Sequence, residues 1–293
     1  MFFLSEEYVV DANEYLGLSE RQLGALLDDL RIISADSELI NVALKWKTEL
    51  FAPRDRFERV ITDGMHIPAK APLMPVIVLL SGLDGLKRFY REHGIADKVL
   101  KDILFDVSRT LDECYARNGR YVVEDEIFGW LARHFTARLF HLGVLQFEAV
   151  RFNEDNYMLK KGDLVLNTHI PSAAKLPHDE VVRSYSLGAE LFGKLMPDIE
   201  FKGFICESWM LSPQLKDFLD DSSNIIMFLK DYELYGVHSD DNNFYSNIFV
   251  KKPDDLHSLP EKTRLQRAIK TYLLAGGKLE AGRGFMPIGK YSQ

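Results

Sequence analysis

The chain has 293 residues with 36 basic and 44 acidic side chains, a net charge of −8, and is 46% hydrophobic and 12% aromatic. That length suits two domains of roughly 150 residues, and the composition buries a sizeable core, which excludes a stapled miniprotein and wholesale disorder. The acidic balance argues against nonspecific nucleic-acid binding, which needs clustered Lys and Arg to displace phosphate counterions.

The N-terminus MFFLSEEYVVDANEYL carries acids where a signal peptide needs a basic region. Cys114 and Cys206 are too few for a disulfide framework or a Cys-rich zinc site. The longest apolar run, Pro72 to Leu80, is about half of the ~20 residues that a membrane span requires. The expectation is a cytoplasmic protein with no membrane partner and no metal.

The first half reads as helices. Leu23, Leu26, Leu27 and Leu30 fall on one face after Ser19-Glu20, and Ser37 opens a second segment with Ile40, Leu44 and Leu50. Ala71 to Tyr90 is an apolar helix interrupted at Gly82 and Gly85. Asp97 begins another, whose Ile103, Leu104, Val107 and Leu111 form a stripe before Asn118-Gly119. The strongest helical pattern runs from Val123 to Leu142, with acids at its start, Arg133, His134, Arg138 and His141 in its last turns, and Gly143 as its closing residue. His134 and His141 sit at metal-ligand spacing, but no carboxylate shares their turn, and cations complementing a helix C-terminus account for them.

After Gly143 the period changes to two. Residues 144–152 and Asp163 to Ile170 alternate on either side of a polar connection, the signature of a hairpin with a long loop. A helix from His178 to Leu195 follows Pro177, a strand covers Phe201 to Trp209, and Ser212-Pro213 starts a short helix. Asn224 to Leu229 is open between helix and strand. Tyr235 to Val237 and Phe244 to Val250 read as strands, and a last helix spans Glu261 to Leu274 before a glycine-rich tail. The expected architecture is a helical domain over 1–143 and, over 144–293, an α/β (α+β) domain in which helices flank a mixed sheet.

Charge is unevenly distributed. Residues 1–143 hold 18 basic and 23 acidic side chains, 144–250 hold 9 and 17, and 251–293 hold 9 and 4, so only the C-terminal stretch is basic.

Three segments carry candidate chemistry. His169 ends a strand at the edge where open α/β sheets bind ligands, and suits a general base, although a hydrogen-bonded structural histidine fits the same position. Ser172, Lys175 and His178 border the next helix N-terminus, whose free N–H groups bind anions; Asp179 and Glu180 there equally serve the helix dipole alone. Cys206-Glu207-Ser208-Trp209 ends the following strand, which brings Glu207 and Ser208 toward His169 if the strands are neighbours. Cys206 is a nucleophile only with a base beside it, and a buried apolar thiol fits the strand as well. In the tail, Lys278, Arg283 and Lys290 lie among glycines without P-loop spacing; a helix end with its closing turn explains them too.

The run THIPSAAKLPHDEVVRSYSLGAELFGK, with FICESWMLSPQLKDFLDDSSNIIMFLKDYEL after it, resembles the C-terminal domain of a bacterial family of acyltransferase-domain proteins. In that family a helical N-terminal domain precedes a GNAT-like domain. The matching residues are His169-Ile170-Pro171, Ser186 to Phe192, Cys206, Ser208-Trp209, Leu211, Pro213, Ser223-Asn224-Ile225 and Phe228.

The resemblance implies transfer of an acyl group from an acyl-CoA co-substrate to an amine or hydroxyl. It places His169 or Glu207 as base, Ser208 as proton donor or orienting group, Ser172, Lys175, His178 and Arg283 toward the donor phosphates, and Cys206, Trp209 and Asn224 in the substrate cleft. The turn Lys175-Leu176-Pro177-His178-Asp179-Glu180 departs from the glycine-rich pyrophosphate motif of GNAT enzymes. The rival expectation is therefore a non-catalytic protein that keeps the fold and binds another small ligand.

Overall fold

The structure, a computed structural model, describes residues 4–291 apart from 59, 61, 173, 240, 250 and 251, and without the side chains at 241–243 and 246. The chain divides into two compact units, 1–141 and 142–293.

The first unit is built from α1 (Glu6–Leu16), α2 (Glu20–Ser34), α3 (Ser37–Leu50), α4 (Met74–Leu80), α5 (Leu83–Glu92), α6 (Asp97–Leu104), α7 (Asp106–Asn118) and α8 (Asp125–Phe135). Local chemistry sets the starts of the first three. Ser5 accepts from the Tyr8 amide, Ser19 and Gln22 form a reciprocal capping box, and the Asp36 carboxylate accepts from the Glu38 and Leu39 amides. Every residue of α4 is buried, as a helix apolar on all sides must be, and α2, α3 and α8 pack around it.

Two elements differ from the sequence reading. The helix expected from Asp97 to Asn118 divides at Phe105 into α6 and α7. The helix expected from Val123 to Leu142 stops at Phe135, because Ala137 adopts a left-handed conformation (φ 53°) and the apolar residues beyond it form a strand, β1 (Leu139–Leu142). His134 therefore remains in a helix while His141 belongs to a strand.

The remaining elements are β2 (Leu145–Arg151), β3 (Leu164–His169), α9 (His178–Leu195), β4 (Gly203–Ser208), α10 (Asn224–Asp231), β5 (Glu233–Ser239), α11 (Asp241–Phe249), α12 (Arg264–Leu274) and β6 (Glu280–Pro287). The strands form one mixed sheet in the order β1-β2-β3-β4-β6-β5. Between β1 and β2, Gly143 takes φ 71°, and a Cβ there would lie 2.3 Å from Ser184 Oγ. Gly143 is thus a hairpin turn, not a helix end. The buried Ser184 uses the space to accept from the Val144 amide at 2.9 Å and donate to the Glu180 carbonyl at 2.7 Å, which fixes the hairpin to α9.

Parallel strands need a crossover, and α9 supplies it between β3 and β4. One sheet face packs Phe147 and Phe204 against Tyr185 of α9. On the other face, Val165 and Phe285 lie under Phe152 and Leu159 from the long β2–β3 connection.

Two further readings are corrected. The strand expected over 244–250 is the helix α11, whose Phe244, Tyr245 and Phe249 pack with Ile269 and Leu273 of α12; Val250 lies outside the described residues. The glycine-rich tail is a strand, β6, paired on both sides. Gly282 is needed because the Leu211 carbonyl passes over it, 2.1 Å from where a Cβ would sit. The segment left open at Asn224 to Leu229 is helical. Among the described residues, no helix is long and apolar enough to cross a membrane.

Candidate active site

The site begins with the two parallel strands. Leu166 pairs with Phe204 and Asn167 with Ile205, and beyond these the two strands no longer pair with each other, while each keeps its neighbour on the other side. Thr168 and His169 pair with Phe147 and Gln146 of β2, while Cys206, Glu207 and Ser208 pair with Gly284, Arg283 and Gly282 of β6. The carboxyl ends of β3 and β4 thus part company, at the edge where open α/β sheets hold ligands.

Strand alternation sorts the side chains. Glu148, Asn167, His169, Ile205, Glu207 and Arg283 share the face opposite α9. Thr168, Cys206 and Ser208 share the α9 face. On the first, His169 Nε2 lies 2.9 Å from Glu148 Oε1, and Asn167 Nδ2 donates to the same oxygen at 3.3 Å. His169 Nε2 thus faces both the Glu148 carboxylate, which accepts, and the Asn167 amide nitrogen at 3.2 Å. The His169 side chain is 21% exposed and that of Glu148 11%, so the pair is sheltered yet open to solvent at the strand end. Glu148 was not among the residues singled out from sequence. The long connection between the hairpin strands hides which residue of β2 faces His169.

Glu207 lies on the same face, 58% exposed, with Oε1 3.3 Å from His238 Nε2 of β5. Ser208 accepts from the Met210 amide at 3.1 Å and caps the turn at 209–211. Cys206 is buried on the α9 side, and burial pushes its thiol well above the ordinary range, so it is a protonated apolar residue. Trp209 packs on Phe244, with ring centroids 5.7 Å apart, and Asn224 is exposed at the start of α10.

Ser172 and Lys175 are exposed on the turn between β3 and α9. His178, the first residue of α9, puts Nε2 3.0 and 3.2 Å from the carboxylate oxygens of Asp231. Asp179 is exposed, and Glu180 lies 3.5 Å from Arg183. Arg283 is on the opposite sheet face, bonded to Glu154 at 2.9 Å and over the Tyr235 ring. The structure therefore brings His169 together with Glu148 on the face that also carries Glu207 and Arg283; Ser172, Lys175 and His178 follow one another along the turn into α9, and Trp209 and Asn224 lie elsewhere. Of the basic tail, Lys278 is exposed, while Lys290 reaches Asp231, where it donates to the backbone carbonyl at 2.6 Å. Among the described residues, no three His, Cys, Asp or Glu side chains gather at metal-binding spacing.

Residues 7–137 match the model of the N-acyltransferase N-terminal domain, and residues 139–286 match that of the GNAT-like C-terminal domain. The chain belongs to this family. No curated protein matches the sequence. Similar solved structures include an acyltransferase mutant in complex with octanoyl-CoA, at TM-score 0.81 and 21% identity over 96% of this chain and 88% of the other. Another is an acyltransferase in complex with decanoyl-CoA and teicoplanin, at 0.78 and 22% over 96% and 88%. At these identities the likeness shows a shared fold, and it extends through both the helical domain and the GNAT-like domain. Within the GNAT-like domain, the parting of β3 and β4 and the turn into α9 are the features that the fold places beside each other.

Proposed function

We propose that the protein transfers an acyl group from an acyl-CoA to an amine. The observation that carries this reading is the His169–Glu148 pair at the point where β3 and β4 separate. Family membership and the acyl-CoA held by structures of the same fold support it.

In the step so supported, the amine nitrogen attacks the thioester carbonyl carbon, the amide C–N bond forms and the C–S bond breaks. His169 takes the proton that the nitrogen loses, and coenzyme A leaves as a thiolate to which that proton is then passed. Glu148 holds the imidazole in the required tautomer and stabilises the imidazolium as it forms. Ser172, Lys175 and the free amides at the start of α9 face the donor phosphates. His178 is committed to Asp231, so its part is to hold that turn, and Arg283, bonded to Glu154 on the face that carries His169, lies away from the α9 side. The missing glycine pair is replaced by a lysine and by helix amides. The exposed Asp179 is free to turn outward.

Calorimetry and thiol release test this directly. Saturable binding of octanoyl- or decanoyl-CoA is expected, with free thiol and an amide product of the matching mass when an amine is added. Absence of binding by acetyl-, octanoyl-, decanoyl- and free coenzyme A at millimolar concentration overturns the reading.

A further inference from the structure

The helix α9 has a bare start. Pro177 precedes it and gives no side-chain hydrogen bond to the first turn, as at α4 to α8 and unlike the capped starts of α1, α2, α3, α10 and α12. An uncapped first turn frays more readily than a capped one. In this chain that turn carries the amides assigned to the donor phosphates, so something other than a cap must hold it.

Asp231, the last residue of α10, is in position to do so. Its side chain is 3% exposed, and its carboxylate accepts from His178 Nε2 and from the Tyr291 hydroxyl. Lys290 Nζ lies 3.9 Å from Oδ1 and donates to the Asp231 and Lys230 carbonyls at 2.6 and 3.4 Å, which closes the end of α10. The Tyr291 ring lies parallel to that of Tyr185 on α9, 7° apart in plane with centroids at 6.1 Å. One buried carboxylate thus joins the first residue of α9, the end of α10 and the last turn of the chain.

Burying a carboxylate costs several kcal/mol, and apolar packing would hold three segments together at less expense. What apolar packing lacks is direction. The carboxylate fixes His178, and with it the amides that follow, at one distance and angle.

We propose that Asp231, with Tyr291 and Lys290, is a positioning residue for the acyl donor, acting through His178 to fix the phosphate-facing turn of α9. The proposal rests on the acyl-transfer reading above. It assigns the basic C-terminal residues a role one step removed from the anion: Lys290 offsets the charge of Asp231 so that the turn stays hospitable to phosphate.

The test is Asp231→Asn in the full-length chain, compared with two donors, an acyl-CoA and the same acyl group on pantetheine, which lacks the nucleotide. Binding of free coenzyme A by calorimetry is expected to weaken on the order of tenfold, and KM for acyl-CoA to rise in proportion. The wild-type preference for acyl-CoA over acyl-pantetheine is expected to shrink by the same factor. Tyr291→Phe keeps the carboxylate and removes one donor, so it gives a smaller change in the same direction and a second reading if Asp231→Asn folds poorly. Unchanged coenzyme A affinity in both variants, or equal loss with both donors, overturns the proposal while the acyl-transfer reading stands. Failure of the wild-type chain to bind coenzyme A overturns both.

Discussion

Each unit of this molecule contains a histidine hydrogen-bonded to a carboxylate, and the two pairs have nearly the same geometry. In the helical unit His134 Nε2 is 3.0 Å from Asp106 Oδ2, and in the GNAT-like domain His169 Nε2 is 2.9 Å from Glu148 Oε1. Their surroundings differ. His134 is 0% exposed, its Nδ1 faces the Trp130 carbonyl at 3.0 Å, and Asp106 also accepts from Arg109. Both ring nitrogens of His134 therefore face acceptors inside the helical unit. His169 stands at a strand end, partly exposed, with one nitrogen directed at its carboxylate. The pair alone does not mark chemistry; its place at an opening of the sheet does.

Substituting each histidine breaks this comparison if it is wrong. His169→Ala is expected to lower kcat/KM by about 10²–10⁴-fold with the melting temperature close to wild type. Glu148→Gln is expected to give a smaller loss in the same direction, since the imidazole remains but its orientation and charge are less well supported. His134→Ala does the reverse. It takes one buried partner from Asp106, so the helical unit is expected to lose about 3–5 kcal/mol, with kcat/KM within a few-fold of wild type below its melting temperature. Steady-state kinetics with thermal denaturation on all three variants separate the cases. Activity retained by His169→Ala removes it as the base, and full stability of His134→Ala removes the structural account of its pair.

The elements around the site differ in how visible they are in the sequence, and the reason is the range of the forces that shape them. The strand ending at His169 and the helix starting after Pro177 show their period and punctuation within a few residues, and the helix matches its expected bounds, His178–Leu195. The strand β6 does not. Its glycines read as a turn because the reason for them is the Leu211 carbonyl, some seventy positions away. The stretch Phe244 to Phe249 is rich in strand-favouring residues, yet it is helical because Phe244, Tyr245 and Phe249 must together meet Ile269 and Leu273. Glu148 stayed hidden for a similar reason, as register across a long loop is a tertiary fact.

This account predicts a contrast between two glycines of the tail. Gly282→Ala would place its Cβ 2.1 Å from the Leu211 carbonyl oxygen and is expected to cost at least about 2 kcal/mol, whereas Gly289→Ala meets nothing within 4 Å and is expected to stay within about 0.5 kcal/mol of wild type. Chemical denaturation of both checks it, and equal stabilities would mean that the glycines serve chain entropy and not close approach.

An effect that shows only as a dependence on pH sharpens the same contrast between buried polar groups that stabilise and those that act. Asp29 of α2 is buried, and its carboxylate accepts the Leu73 amide at 2.6 Å just before α4. Burial outweighs that hydrogen bond and pushes the carboxyl from 3.8 up to about 6. The folded chain then keeps a proton that the unfolded chain gives up, so this group's contribution to stability is complete below pH 3.8 and declines as the pH rises toward 6, by up to about 3 kcal/mol. Glu6, Asp36 and Glu124 act in the opposite sense, since their carboxyls are held below the ordinary range by Arg31, Lys70 and Arg117, and their contribution is lost as the pH falls. The measurement is accordingly a difference. Asp29→Asn keeps an oxygen for the Leu73 amide and removes the titration, so the stability of wild type minus variant is expected to fall between pH 4 and 6 and to be flat above about 7. A difference that rises with pH would show that Asp29 is ionised and compensated in the folded unit.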